Sequence, residues 1–150
     1  MQKRKCCILT WLIFFLVLPS LRAQTPLPPN NEPQSFIGMR LEELFSRFGP
    51  PRTVYTVRGQ EIWQDDVVFV YSAGDFYIYR DRVWQISVQS VFGMKVGDAK
   101  AVALLVLGEN AQDRGSYLLC DIGGFSWPMS LRINFDAEKI SAIYIFRPDF

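Results

Sequence analysis

From residue 36 onward, two patterns of apolar and polar positions take turns along the chain. The first has helical spacing. Leu41, Leu44, Phe45 and Phe48 fall at i, i+3, i+4 and i+7, with Glu42, Glu43, Ser46 and Arg47 on the opposite face. One apolar stripe of this kind predicts an amphipathic helix. Gly49 suits the left-handed position that closes a helix, and Pro50-Pro51 forbids its continuation. A second helix is predicted from Asp98 to Leu107, with Asp98 as N-cap and Gly108 as the stop. Ala101 to Leu107 is apolar on every side, so this helix is expected to be the more buried of the two.

The second pattern is strict alternation. Strands are expected at roughly Thr53–Arg58, Val67–Ser72, Phe76–Arg80 and Val83–Gln89, and again at Ser116–Asp121, Gly124–Ser126, Leu131–Phe135 and Ile140–Arg147. Leu131, Ile133 and Phe135 alternate with Arg132 and Asn134; Trp84, Ile86 and Val88 alternate with Gln85 and Ser87. One apolar and one polar face is what an antiparallel sheet covered on a single side by helices requires.

The two patterns recur together. Phe36-Ile37-Gly38-Met39-Arg40 opens the first stretch and Val91-Phe92-Gly93-Met94-Lys95 the second, 55 positions later. The closing strands, Val83 to Val88 and Ile140 to Ile145, are 57 apart. A near-constant offset predicts a duplicated unit. The expected fold is α+β: two tandem helix-plus-antiparallel-sheet repeats, at 36–90 and 91–150, packed together because each is too small to bury much alone.

The N-terminus changes the picture of compartment. Lys3, Arg4 and Lys5 precede an apolar run from Cys6 to Leu18, which Pro19 breaks before Leu21-Arg22-Ala23. This is the pattern of a secretory signal peptide over residues 1–23, too short for a comfortable transmembrane helix. No cysteine follows the run to carry a lipid. Residues 24–35, rich in proline, read as a disordered lead. The expected product is a periplasmic or secreted protein with no membrane span of its own. The whole chain carries 16 Lys and Arg against 15 Asp and Glu. Losing Lys3, Arg4, Lys5 and Arg22 leaves 12 against 15, a net charge of −3, which disfavours nucleic acid as a partner. Cys120 is then the lone cysteine and reads as a buried apolar side chain.

The chemistry is sparse. The chain has no histidine, so triads and His-based metal sites are excluded. Asp65-Asp66 reads as a polar loop, although a carboxylate enzyme using them is an alternative. Gly123-Gly124 is a turn that lacks a phosphate loop's context. No catalytic, cofactor or metal site is assigned. The aromatic residues are more numerous than a core demands: Trp63, Tyr71, Tyr77, Tyr79, Trp84 and Trp127. If Phe76 and Ile78 face the helix, Tyr77 and Tyr79 face outward, flanked by Arg80 and Arg82. With Trp63 they form a candidate protein-binding surface, since Tyr, Trp and Arg dominate binding hot spots. An interface between the two repeats is the equally simple reading. The aromatic C-terminal run Tyr144 to Phe150 also leaves a small outer-membrane barrel as an alternative.

Gly38-Met39, Leu44, Phe48 and Gly49-Pro50-Pro51 together resemble the opening of the BamE/SmpA family of bacterial envelope proteins. The doubled arrangement is similar to the β-lactamase inhibitor proteins. The second copy departs from the motif, with extra residues before its helix and Glu109-Asn110 in place of the prolines. The resemblance implies a non-catalytic adaptor of the bacterial cell envelope, or an inhibitor of a secreted hydrolase.

Overall fold

The computed structural model describes residues 32–58 and 65–150. The expected signal peptide, most of the proline-rich lead, and Trp63 lie outside the described residues. Pro33–Phe36 forms a 3-10 turn that buries Gln34 and Phe36. It leads into α1 (Leu41–Phe48), then β1 (Thr53–Val57), β2 (Asp66–Tyr71), β3 (Gly74–Tyr79) and β4 (Arg82–Val88). A small hairpin of β5 (Ser90–Val91) and β6 (Met94–Lys95) precedes α2 (Lys100–Leu107). The chain continues through β7 (Ala111–Asp113), β8 (Tyr117–Ile122), β9 (Met129–Asp136) and β10 (Lys139–Phe146).

Among the described residues, eight of the ten strands form one antiparallel sheet in the order β1-β2-β3-β4-β10-β9-β8-β7. The expectation of two tandem helix-plus-sheet repeats is corrected by this topology. β4 pairs directly with β10, Val88 with Ile143 and Gln85 with Phe146, so the two expected sheets are one, and the described residues hold two α-helices. The reason is physical. Two separate four-stranded sheets would each leave an unpaired inner edge, and joining the edges satisfies those backbone groups.

The core follows one line of side chains from β2 to β8, continued by exposed Val54 on β1 and partly buried Ala111 on β7. Val54, Phe69, Phe76, Ile86, Ile145, Leu131, Cys120 and Ala111 are successive register partners from β1 to β7. A parallel line runs Val88, Ile143, Ile133, Leu118. Phe36, Ile37 and Leu44 from the N-terminal side, and Val91, Met94 and Ala103 from the hairpin and α2, complete the same cluster. Phe48 meets Phe36 edge-on and packs at a tilt against Phe76 and Tyr71, which ties α1 to the sheet.

The ends of α1 follow the sequence. The Glu43 carboxylate accepts the Arg40 backbone N–H at 2.7 Å, and Gly49 takes φ +73°. α2 departs from expectation. It starts at Lys100 with Ala99 as N-cap, while the Asp98 carboxylate accepts the Lys95 backbone N–H at 3.0 Å. Only Ala103 is fully buried; Leu104, Leu105 and Val106 are exposed. A helix of two turns lying on a sheet can bury one face only, so an all-round apolar sequence leaves the rest in water. No strand forms at 124–126, and the short strands β5, β6 and β7 carry too few residues to show alternation.

Candidate functional site: the helix-free face of the sheet

Residues alternating with the core lines point to the other face of the sheet. There the register gives two more lines. One runs Thr53, Val70, Asp75, Ser87, Tyr144, Arg132, Leu119, Gln112. The next runs Tyr55, Val68, Tyr77, Gln85, Phe146, Ser130, Asp121. None of these residues belongs to the helix-side core cluster or to the side chains packed against it.

A bulge adds one more aromatic to this face. The register steps from Tyr77↔Gln85 to Ile78↔Val83, so Trp84 has no partner on β3. The extra residue turns Trp84 away from the core and beside Gln85. Its indole N–H donates to Asp66 Oδ1 at 2.9 Å, and its ring meets Tyr77 edge-on, centroids 6.5 Å apart. The expectation that Trp84 shares a face with Ile86 and Val88 is thereby corrected.

Some groups on this face are sealed although no helix of the described residues lies on it. Val68 is 0 % exposed, flanked in register by Tyr55 and Tyr77. Ser130 is buried, and its hydroxyl donates to Asp121 Oδ1 at 2.9 Å. Burial, reinforced by the neighbouring Tyr55 and Tyr144 phenols, by a hydrogen bond with Tyr55 and by Asp75, pushes the Tyr77 hydroxyl well above the usual tyrosine range. Burial also raises Asp75 and Asp66; for Asp66 the Trp84 hydrogen bond works the other way and Asp65 adds to the rise. The cations of the face have partners. The Arg132 guanidinium lies 4.3 Å from the Tyr117 ring centroid, and its Nε donates to Asn134 Oδ1 at 2.8 Å.

The five residues singled out from sequence separate. Tyr77 sits on β3, third of the eight strands across the face, half-buried. Tyr79 lies at the end of β3, with its ring 6.1 Å from that of Phe150, and the Arg80 guanidinium 5.1 Å from its centroid. Arg82, paired in register with Tyr79, donates from Nη1 to the Gly38 carbonyl at 2.8 Å, which commits it to holding the N-terminal segment. Trp63 lies outside the described residues. Sequence reasoning missed Tyr55, Tyr144, Phe146, Tyr117 and Arg132. The alternation that points Tyr77 outward, applied to every strand, would have found most of them. Of the other aromatics, Tyr71 is core and donates its hydroxyl to the Gly49 carbonyl at 3.1 Å. The two halves of the chain meet edge to edge through β4 and β10, so the outward tyrosines are not sandwiched between two layers.

Ring faces, phenol hydroxyls and three carboxylates on one sheet face suit recognition of another molecule's surface. Among the described residues no group of three or more Cys, Asp or Glu is placed to hold a metal ion. Among them also, no helix is long and apolar enough to cross a membrane.

No family model and no curated protein matches the chain. Solved structures do. An extracellular protein containing an SCP domain from Bacillus anthracis str. Ames is similar with a TM-score of 0.50 at 13% identity, over 79% of this chain and 46% of that one. A cysteine-rich secretory protein from Staphylococcus aureus subsp. aureus Mu50 gives 0.49 at 14% identity, over 77% of this chain and 46% of that one. The chain thus matches less than half the length of either. Both neighbours are named as secretory or extracellular proteins. The resemblance to the BamE/SmpA and β-lactamase inhibitor families is corrected by these findings, which place the fold beside the SCP-containing proteins. The motif misled because its parts serve local needs. Gly38 takes φ +86° beneath Trp127, Gly49 closes α1, and the prolines stop it. Any helix-to-strand junction can use them.

Proposed function

We propose that this chain is an exported, non-catalytic protein-binding adaptor of the bacterial cell envelope, and that its helix-free sheet face is the binding surface. The observation that carries this reading is the pair of side-chain lines crossing all or nearly all of the sheet, with Tyr55, Tyr77, Tyr144, Phe146 and Trp84 outside the core. Aromatic side chains of this kind supply contact area at low entropic cost. The signal-like N-terminus supports export, and so does the fold likeness to an extracellular protein of Bacillus anthracis. The absence of histidine from the sequence supports a binding role over the commonest hydrolytic chemistries.

The test is site-specific photo-cross-linking in the native envelope. A cross-linker at Tyr77 or Tyr144 is expected to capture a defined protein, and one at Glu42 on α1 is not. Changing Tyr77 to Ala should weaken capture at Tyr144. Capture from Glu42 alone, or none from the sheet face, would refute the assignment of this surface.

A further inference from the structure

The sheet has two edges, and they are built differently. β7 is three residues long, and its Asp113 carboxylate is held by Lys100 Nζ at 2.9 Å and by the Gly115 backbone N–H at 2.8 Å. A short edge with an engaged charge is protected against further pairing. β1 has none of this. Thr53-Val54-Tyr55-Thr56-Val57 holds no charge, proline or glycine, and all five residues are exposed. Three of the five are apolar or aromatic side chains at 39% exposure or more. β-Branched and aromatic residues favour strand pairing, and among the described residues no strand pairs with the outer edge of β1, whose backbone donors and acceptors are thus available to a further strand.

The charges at its ends say what that strand would carry. Arg52 and Arg58 flank β1, both exposed, and neither forms an ion pair among the described residues. A second copy pairing antiparallel over all five residues would centre on Tyr55 and set Arg52 opposite Arg58 at each end. Like charges directly opposite destabilise a strand pair. A foreign strand with carboxylates at its ends meets no such conflict.

We propose that β1 accepts an extended segment from a partner protein by strand addition, the segment being rich in β-branched residues with an acidic residue at each end. Backbone hydrogen bonds along β1 supply affinity, and Arg52 and Arg58 fix the register. A side chain paired with Tyr55 would extend the Tyr55, Val68, Tyr77 line of the helix-free face by one strand.

The experiment is amide hydrogen exchange of the purified protein, followed at residues 53–57. The probes are two peptides of five alternating Val and Thr residues, one with Asp at each end and one with Lys at each end. The Asp-ended peptide is expected to protect these amides and to bind roughly fivefold tighter than the Lys-ended one, the scale of two exposed ion pairs. Arg52→Glu with Arg58→Glu should reverse the preference; both positions are exposed, so the fold tolerates the change. Protection by neither peptide would overturn the proposal. Equal protection by both would overturn the charge recognition. Protection that rises with protein concentration alone would mean that a second copy takes the edge, which overturns the partner strand.

Discussion

Trp84 on β4 donates its indole N–H to Asp66 on β2 at 2.9 Å, reaching over β3 between them. The contact links strands that share no backbone hydrogen bonds, and it exists because the bulge turns Trp84 outward. Trp84→Phe keeps the ring and loses the donor. Urea unfolding should show a loss of about 1 kcal/mol, the net worth of one such hydrogen bond. NMR titration should show the Asp66 carboxyl rising further, because the one interaction that lowers it is gone.

Asp66 and Asp75 both titrate above the ordinary carboxyl value in the folded protein, chiefly through burial. The folded state therefore holds their protons more tightly than the unfolded state does. The stability this confers is complete below the unfolded value and is lost as pH rises through the folded one. Asp66→Asn and Asp75→Asn should each raise the urea midpoint at pH 7 relative to the parent, and the gain should shrink as the pH falls toward the ordinary aspartate value. A gain that persists undiminished in acid would show that charge burial is not its source.

Gly38 has φ +86°, and a Cβ there would stand 3.3 Å from Cζ2 of Trp127. Its N–H also donates to the Val83 carbonyl at 2.7 Å, so the backbone cannot easily shift away. Gly38→Ala should cost about 1–3 kcal/mol in chemical denaturation, from the left-handed conformation and the tight ring contact together. It should also change the fluorescence of Trp127.

Leu44 and Leu105 are both helix leucines with opposite fates. Leu44 is 0% exposed and Leu105 is 84% exposed. Leu44→Ala should lose about 2–5 kcal/mol, and Leu105→Ala should stay within about 0.5 kcal/mol of the parent. Thermal melts of the two variants, run side by side, check the orientation of both helices at once.

Cys120 lies in the core line of the sheet between Leu131 and Ala111, and burial, with Asp121 beside it, pushes its thiol up. Thiolate is the reactive form, so the folded protein should react slowly with a thiol reagent at pH 8. In urea the reaction should become fast, and its midpoint should coincide with loss of tryptophan fluorescence.

The sequence made some of this legible. The stripe Leu41, Leu44, Phe45 and Phe48 marks α1, and alternation places Phe76 and Ile78 inward with Tyr77 and Tyr79 opposite, as the structure has them. It failed where register or tertiary contact decides. One bulge residue moved Trp84 to the other face, and no local pattern announces a bulge at that position. α2 is uniformly apolar, so its sequence does not state which side lies on the sheet. Arg82 looked like part of a recognition surface, but its guanidinium holds the Gly38 carbonyl, 44 positions away. The matching offsets pointed to two tandem repeats, which the structure does not bear out, and the pairing of β4 with β10 that makes one sheet was not visible. That pairing depends on two edges meeting in space.

The place of β10 has a consequence for how the molecule is made. Residues 139–146 lie in the middle of the sheet, between β4 and β9, although they come late in the chain. Until they arrive, β1 to β4 have an open flank at Ile86 and Val88, and β7 to β9 have another at Leu131 and Ile133. A chain delivered N-terminus first, from a ribosome or through a membrane pore, cannot close its sheet until this segment has emerged. Folding is then a late, largely all-at-once event that joins distant residues, which makes it slow. For a polypeptide that must stay threadable during transport, such a delay keeps premature structure from blocking its passage.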